Sequence, residues 1–267
     1  MSFCLTAPKP NSRNLGSERG PSVRRIVVKW SGGVTSAWCG GWALRNFPKD
    51  EVVFLFHDTK EEDEDTYRFS LEMAAKLDHP ITERSDGRSF TELCYDEGFL
   101  PNNMHPKCSI VLKAVQGDKY IEELLMQGIF DITFIYAFSA NETDRVQRQT
   151  AWSWLKKVKV RFPMIEEGVT KQDCANWATC DMGIKLPSMY EWSDHANCLG
   201  CCRGGKAYML AVKEHRPAVF DQRKQMEKDF GFTFNKRYSL VQIEAEGLKR
   251  PVGRRESIDI GACECGS

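Results

Sequence analysis

Continuous apolar runs bounded by charge alternate with helically periodic stretches along the first two thirds of the chain. The runs 24–30 (RRIVVKW), 51–56 (EVVFLF) and 131–138 (DITFIYAF) are rich in β-branched and aromatic residues. Runs of that length and composition predict strands covered on both faces, as in a parallel sheet. The stretch 157–164 reads as a further strand closed at Pro163, and 81–85 as a short one. Between them, apolar positions recur at helical spacing over 36–47, 65–77, 89–95, 113–126 and 170–180. Pro48 and Gly128 stop two of these helices, and Thr170 with Asp173 makes a capping box for the last. Beyond residue 186 only helices are predicted, over 206–214 and 218–230. The alternation predicts a doubly wound α/β fold with a mostly parallel sheet. The chain then divides into a Pro- and Gly-containing mobile tail (1–22), an α/β domain (23–185) and a helical, cysteine-bearing part (186–267).

Composition narrows this picture. At 267 residues and 42% hydrophobic, the chain can bury a sizeable core. Lys and Arg balance Asp and Glu at 37 each, so no global basic field announces nucleic acid, although a local patch stays open. No apolar run approaches the roughly 18 residues of a membrane span, and no signal-peptide core opens the chain. The expectation is a soluble cytoplasmic protein without a membrane partner. Eleven cysteines are many for such a chain. Without secretion a disulfide framework is not expected, which leaves metal or cluster ligation and thiol chemistry. Cys39 and Cys94 read as small buried hydrophobes, Cys174 and Cys180 as core or neutral positions.

The stretch around which the rest is organised is 26–44. A strand ends at Trp30, Ser31-Gly32-Gly33 follow at once, and a helix begins near Thr35 and Ser36. Strand, glycine turn and helix suit a phosphate: glycines admit close approach, the turn presents N–H groups, and the helix N-terminus adds partial positive charge. It is neither a Walker A loop nor a dinucleotide fingerprint. Ser-Gly-Gly-x-x-Ser after a first strand resembles the PP-loop of the ATP pyrophosphatases. Across 24–232 the chain is similar to phosphoadenosine phosphosulfate (PAPS) reductase-like members of that superfamily, of bacteriophage and bacterial type. The resemblance implies a Rossmann-like, adenine nucleotide α-hydrolase-like fold whose loop, Ser31, Gly32, Gly33, Thr35 and Ser36, holds the nucleotide phosphates. Many PP-loops carry Asp where this chain has Thr35, and such an Asp would help hold magnesium; Thr35 offers only a hydroxyl.

The same resemblance assigns further residues. After the second strand, Asp58, Thr59 and Glu62 occupy positions that contact the adenosine part, whereas Glu61, Asp63 and Glu64 read as a solvated acidic helix start. His57 stands at that strand end, either near the nucleotide or inert. After the 131–138 strand, Glu142 and Arg145 match a Glu and Arg pair whose guanidinium would meet phosphate or sulfate; a surface i,i+3 ion pair is the competing reading. Cys108, followed five residues later by Lys113, opens a helix, which favours thiolate.

Asn197-Cys198-Leu199-Gly200-Cys201-Cys202 is the second informative stretch. Two thiols two residues apart can turn onto one metal, and they are half of a four-ligand site. Cys108 and one of Cys263 or Cys265 are the available completions. Soft sulfur ligands hold zinc or a [4Fe–4S] cluster, and the resemblance implies the cluster; thiols without metal remain the third reading. Arg203 and Lys206 either face an anion or are solvated ends. Glu264-Cys265-Gly266 is similar to the context of the catalytic cysteine of sulfonucleotide reductases, although the Leu-His that follows there is missing. These residues give three expectations: a PAPS reductase-like enzyme in which Cys265 attacks sulfur, with Arg145 on the anion and an electron donor as partner; an ATP-dependent sulfurtransferase, fed by a sulfur donor, that thiolates a small molecule or nucleic acid; and a nucleotide-binding protein with structural zinc and no turnover.

Overall fold

A computed structural model describes residues 23–102, 105–247 and 258. The tail 1–22 lies outside the described residues, as do Cys263 and Cys265. In chain order the elements are β1 (Arg24–Trp30), α1 (Val34–Asn46), β2 (Val52–Asp58), α2 (Glu64–Lys76), β3 (Ile81–Ser85), α3 (Phe90–Glu97) and α4 (Lys107–Ser109). A π turn, Ile110–Ala114, leads from α4 into α5 (Val115–Met126); β4 (Asp131–Ile135), α6 (Thr143–Lys156), β5 (Lys159–Arg161), α7 (Pro163–Glu166) and α8 (Lys171–Asn176) follow. A second π turn, Trp177–Asp181, and a 3-10 turn, Ser188–Glu191, precede α9 (Lys206–His215), α10 (Pro217–Phe230) and α11 (Leu240–Glu246).

The five strands form one all-parallel sheet in the order β3-β2-β1-β4-β5. Central β1 is paired on both sides, Val28 facing Phe54 of β2 and Ile135 of β4. Its residues alternate between two cores. Ile26, Val28 and Trp30 pack with Ala37 and Trp38 of α1 and Phe69 and Met73 of α2. Val27 packs with Leu55, Phe134 and the Tyr120, Ile121 and Leu124 stripe of α5 on the other face. Helices thus cover both faces, as a doubly wound α/β fold requires. The chain winds outward from β1 through β2 and β3, then returns to β4 on the other side. That reversal leaves a crevice at the carboxyl ends of β1 and β4, where open sheets of this kind bind ligands.

A third core joins the two halves of the sequence. Phe90 and Leu93 of α3 and Leu112 pack with Met209 and Val212 of α9, Phe220 and Met226 of α10, and Leu240 and Ile243 of α11. Within it the buried Glu227 carboxylate accepts from the N–H groups of Phe234 (3.0 Å) and Leu240 (2.7 Å), which fixes the start of α11.

Departures from the periodicity have local causes. The last strand is only three residues, because Pro163 opens α7 in place of closing a strand. The fourth ends at Ile135, although Tyr136 N–H still donates to Arg161 O at 3.1 Å. The 170–180 helix divides into α8 and a π turn. Among the described residues no helix is long and apolar enough to cross a membrane.

Candidate functional site

Ser31-Gly32-Gly33 lies at the carboxyl end of β1, beside the crevice. Gly32 has φ +78°, and a methyl group there would stand 3.0 Å from the Thr66 methyl. The Ser36 hydroxyl donates to Gly33 O at 2.8 Å and accepts from Ser31 N–H at 3.1 Å. Ser36, expected among the phosphate donors, is thus buried and committed to shaping the loop. Ser31 is exposed and Thr35 half-buried. Gly33 is the N-cap of α1 without a side-chain cap. The Val34 N–H already has a partner, the hydroxyl of Tyr190, at 3.2 Å. A methyl on Gly33 would stand 3.0 Å from that hydroxyl. Nothing local in the sequence marks Tyr190, whose 3-10 turn lies more than 150 positions from the loop. Lys171 Nζ lies 5.2 Å from the centre of the Tyr190 ring. Lys171 also lines a cleft of about 330 Å³ with Ser139, Asn141, Thr170, Gln172 and Ile258.

At the end of β2, Asp58 Oδ1 accepts from Lys60 N–H (2.8 Å) and from the Tyr67 hydroxyl (2.5 Å). Burial, then the Asp58 carboxylate, holds that phenol far above its ordinary range. Thr59 and Glu62, expected to contact adenosine, are buried and face the cysteines. Thr59 Oγ1 lies 3.3 Å from both Glu62 Oε1 and Cys198 Sγ, and the Cys198 thiol donates to Glu62 Oε1 at 3.4 Å. Of the acidic run, Glu64 is the exposed helix start expected of it, whereas Glu61 and Asp63 are not solvated. Asp63 is 2% exposed, caps α2 through Asp65 N–H and pairs with Arg216 at 2.7 Å. Glu61 pairs at 2.6 Å with Arg223, itself 1% exposed. Two arginines, Arg216 between α9 and α10 and Arg223 on α10, claim these acids, which sequence spacing could not reveal.

Arg145 forms the i,i+3 ion pair with Glu142 and lies 4.2 Å over the Phe138 ring, at the carboxyl edge of β4. Lys206 lies 3.6 Å from Glu246.

Four thiols gather beside β2. Cys108 Sγ is 3.9 Å from Cys202 Sγ. Cys201 is drawn down to about 6, chiefly by a hydrogen bond from Cys202, against the effect of burial. Cys108 is lowered by the same thiol, whereas Cys202, the donor to both, is held far up. Burial pushes Cys198 up to about 12. The Lys113 ammonium is held above its usual range by Cys198 and by Glu62, 3.6 Å from it, against desolvation. Cys202, which the spacing argument left aside, is therefore central. Cys39, Cys94 and Cys174 are buried, and burial raises each thiol's pKa.

In donor chemistry this set suits a thiolate-bound metal. Its positions do not fit a [4Fe–4S] cluster. Cys108 and Cys202 touch where a cluster would stand between them, and Cys198 is engaged by Thr59 and Glu62. The 3.9 Å separation is near the edge of a tetrahedral zinc–thiolate site, roughly 3.8 Å for bonds of about 2.3 Å. Among the described residues, however, no three His, Cys, Asp or Glu side chains converge as a metal shell.

On the other face of the sheet edge, Lys29 Nζ lies 2.9 Å from His57 Nδ1. Burial, with Lys29 and Lys113 nearby, takes His57 down to about 2, so the ring is neutral and accepts from the lysine. Burial and Lys113 bring Lys29 down to about 7, with Asp118 opposing. Gly117 leaves the room, since a methyl there would stand 3.3 Å from the His57 ring. The sign follows from linkage. Below pH 7 both folded and unfolded states hold the Lys29 proton, and the folded state bears a partly buried charge. Between about 7 and the unfolded value near 10.4 the unfolded state binds more protons, so this lysine makes stability rise with pH. Lys29→Met is therefore expected to raise the melting temperature more at pH 6 than at pH 8.5. A lower melting temperature at pH 6 would refute the assignment.

Comparison with protein-family models and with curated proteins finds no match to this chain.

Proposed function

We propose that the chain is a PP-loop enzyme of the PAPS reductase-like kind, which binds an adenine nucleotide at 31–36 and performs sulfur chemistry with the neighbouring thiols. The observation that carries this reading is a juxtaposition. A Ser-Gly-Gly turn at the carboxyl end of the central strand of a β3-β2-β1-β4-β5 sheet lies one strand away from a group of four cysteines. The glycine turn and the α1 N-terminus supply the anion-binding chemistry there. Ser31, Gly32, Gly33 and Thr35 would contact the phosphates, with Ser36 holding the loop. Asp58 would meet the adenosine side, and Arg145, once released from Glu142, the distal anion. A cytoplasmic location belongs to the same proposal: seven of the described cysteines are free, against Cys180, which is disulfide-bonded and not the neutral position expected of it. An external electron donor serves the reducing branch. A sulfur donor and an acceptor, nucleic acid included, serve the thiolating branch.

Isothermal titration with ATP and with adenosine 5′-phosphosulfate tests the reading. Binding of one of them is expected, weakened at least tenfold in Gly33→Val, whose side chain would crowd the Tyr190 hydroxyl. Unchanged affinity in a folded Gly33→Val protein, or no binding of either nucleotide, would remove the PP-loop assignment. Release of sulfite separates the reducing branch from the thiolating one, which releases pyrophosphate.

The soft donor set and the 3.9 Å sulfur separation favour one second reading, a zinc site completed by Cys263 or Cys265. Metal analysis of protein purified without oxygen tests it: about one zinc per chain is expected if it holds, and none if it does not.

A further inference from the structure

Cys108 and Cys202 come from segments 94 positions apart, yet their sulfurs are in contact at 3.9 Å. Neither is occupied in the way Cys198 is, whose sulfur is engaged by Thr59 and Glu62. The remaining step to a covalent bond is short, roughly 2 Å of approach to an S–S length of about 2.05 Å. Both ends sit on backbone that can yield. Cys108 lies on the three-residue α4, which runs straight into the Ile110–Ala114 π turn, a helix form less regular than the α-helix around it. Cys202 follows Gly200, whose φ is +63°, and precedes Gly204 and Gly205 in a turn without regular structure.

We propose that Cys108 and Cys202 form a reversible dithiol–disulfide couple, a two-electron store at the edge of the nucleotide site. The couple rests on the geometry of the thiols, and only its use in catalysis rests on the sulfur-chemistry reading above. In the oxidising direction a thiolate of one cysteine attacks a disulfide co-reactant, and one sulfur of that co-reactant leaves as a thiol. The second cysteine then attacks the mixed disulfide and releases the other. Two protons and two electrons pass from the Cys108 and Cys202 thiols to the co-reactant, and one S–S bond is broken for the one formed. The natural partner by chemical class is a dithiol reductant that reverses this exchange. Closure draws together the segment that carries Lys113 and the 198–202 turn, so the redox state of the couple adjusts the lysine against Glu62.

The test uses full-length reduced protein equilibrated without oxygen against glutathione disulfide. The sample is quenched in acid, alkylated with N-ethylmaleimide and digested without reduction for mass spectrometry. The expected result is a Cys108–Cys202 linked peptide and loss of alkylation at both of these cysteines, reversed by dithiothreitol, whatever happens at the disulfide-bonded Cys180. Cys202→Ser and Cys108→Ser should each abolish the link, while Cys94→Ser leaves it. A link between Cys198 and Cys201 in place of this one, glutathione adducts without any internal link, or thiols that react only after a chelator removes iron or zinc would each overturn the proposal. If a serine variant fails to fold, the mapping on unaltered protein still decides. Nucleotide titration of the same reduced sample is independent: its failure bears on the PP-loop reading, and failure to form the bridge bears on the couple alone.

Discussion

Arg223→Ala is expected to lower the free energy of unfolding by about 3–5 kcal/mol, the range for removing one partner of a buried ion pair. The side chain is 1% exposed and its guanidinium is fully used. Nη2 donates to Glu61 Oε2 at 2.6 Å and to Leu199 O at 3.1 Å, Nη1 to Thr91 Oγ1 at 2.9 Å, and Nε to Gly200 O at 3.3 Å. Its plane lies 4.5 Å over the Phe90 ring. Alanine would leave a carboxylate, two carbonyls and a cavity without compensation, and the cost of unpaired buried groups exceeds the net worth of the bonds. Urea unfolding measures the loss. Arg223→Met restores the apolar stem and not the charge, so it should remain nearly as unstable. Adding Glu61→Leu to it should recover a large part. A loss below about 1 kcal/mol in Arg223→Ala would mean that the pair is not formed in solution. Because Arg223 also holds the carbonyls before Cys201, the variant should expose that turn, read as faster alkylation of Cys201 and Cys202.

Gly40→Ala is the second large effect, and its sign runs against helix propensity. In an exposed helix the change would stabilise by about 1 kcal/mol. Here the methyl would stand 2.7 Å from the Trp30 ring and 2.9 Å from Phe54. Those rings are stacked with centroids 4.5 Å apart at 12°, and the indole N–H donates to Ser70 Oγ at 2.6 Å. Both rings are buried, at 2% and 0% exposure, so α1 is expected to shift off the sheet. The net loss is expected at about 1–3 kcal/mol, as for overpacked cores. Calorimetry reads it as a lower melting temperature, accompanied by a change in tryptophan emission. An unchanged or higher melting temperature would show that the helix moves freely. Such movement would also relocate Gly33 and the first turn of α1, so nucleotide affinity should fall with stability.

The fold was largely legible because its strands are buried on both faces and need continuous apolar runs, as in Val27, Val28, Phe54 and Leu55. The Ser-Gly-Gly turn was legible for the same local reason, since strand, glycine and helix adjoin in sequence. What escaped depends on long-range pairing. Asp63 and Glu61 look like surface acids until Arg216 and Arg223 arrive more than 150 positions later. Cys202 looks like the spare member of a Cys-x-x-Cys-Cys string until Cys108 reaches it. Helix α6 escapes the periodicity because its buried stripe is thin, with Ser153 its one fully buried residue. Helix α11 is short and marked mainly by its Ser239–Gln242 capping box.

The third core has a consequence for synthesis. Phe90 and Leu93 emerge early, but the helices that cover them come last; Thr91 meets Arg223 only 132 positions later. At about 5–20 residues per second the interval on the ribosome is on the order of ten seconds. Throughout it, the sheet can assemble while α3 presents an uncovered apolar face. The nascent chain is thus most vulnerable to wrong association after the nucleotide-binding half is complete and before α9, α10 and α11 have been made.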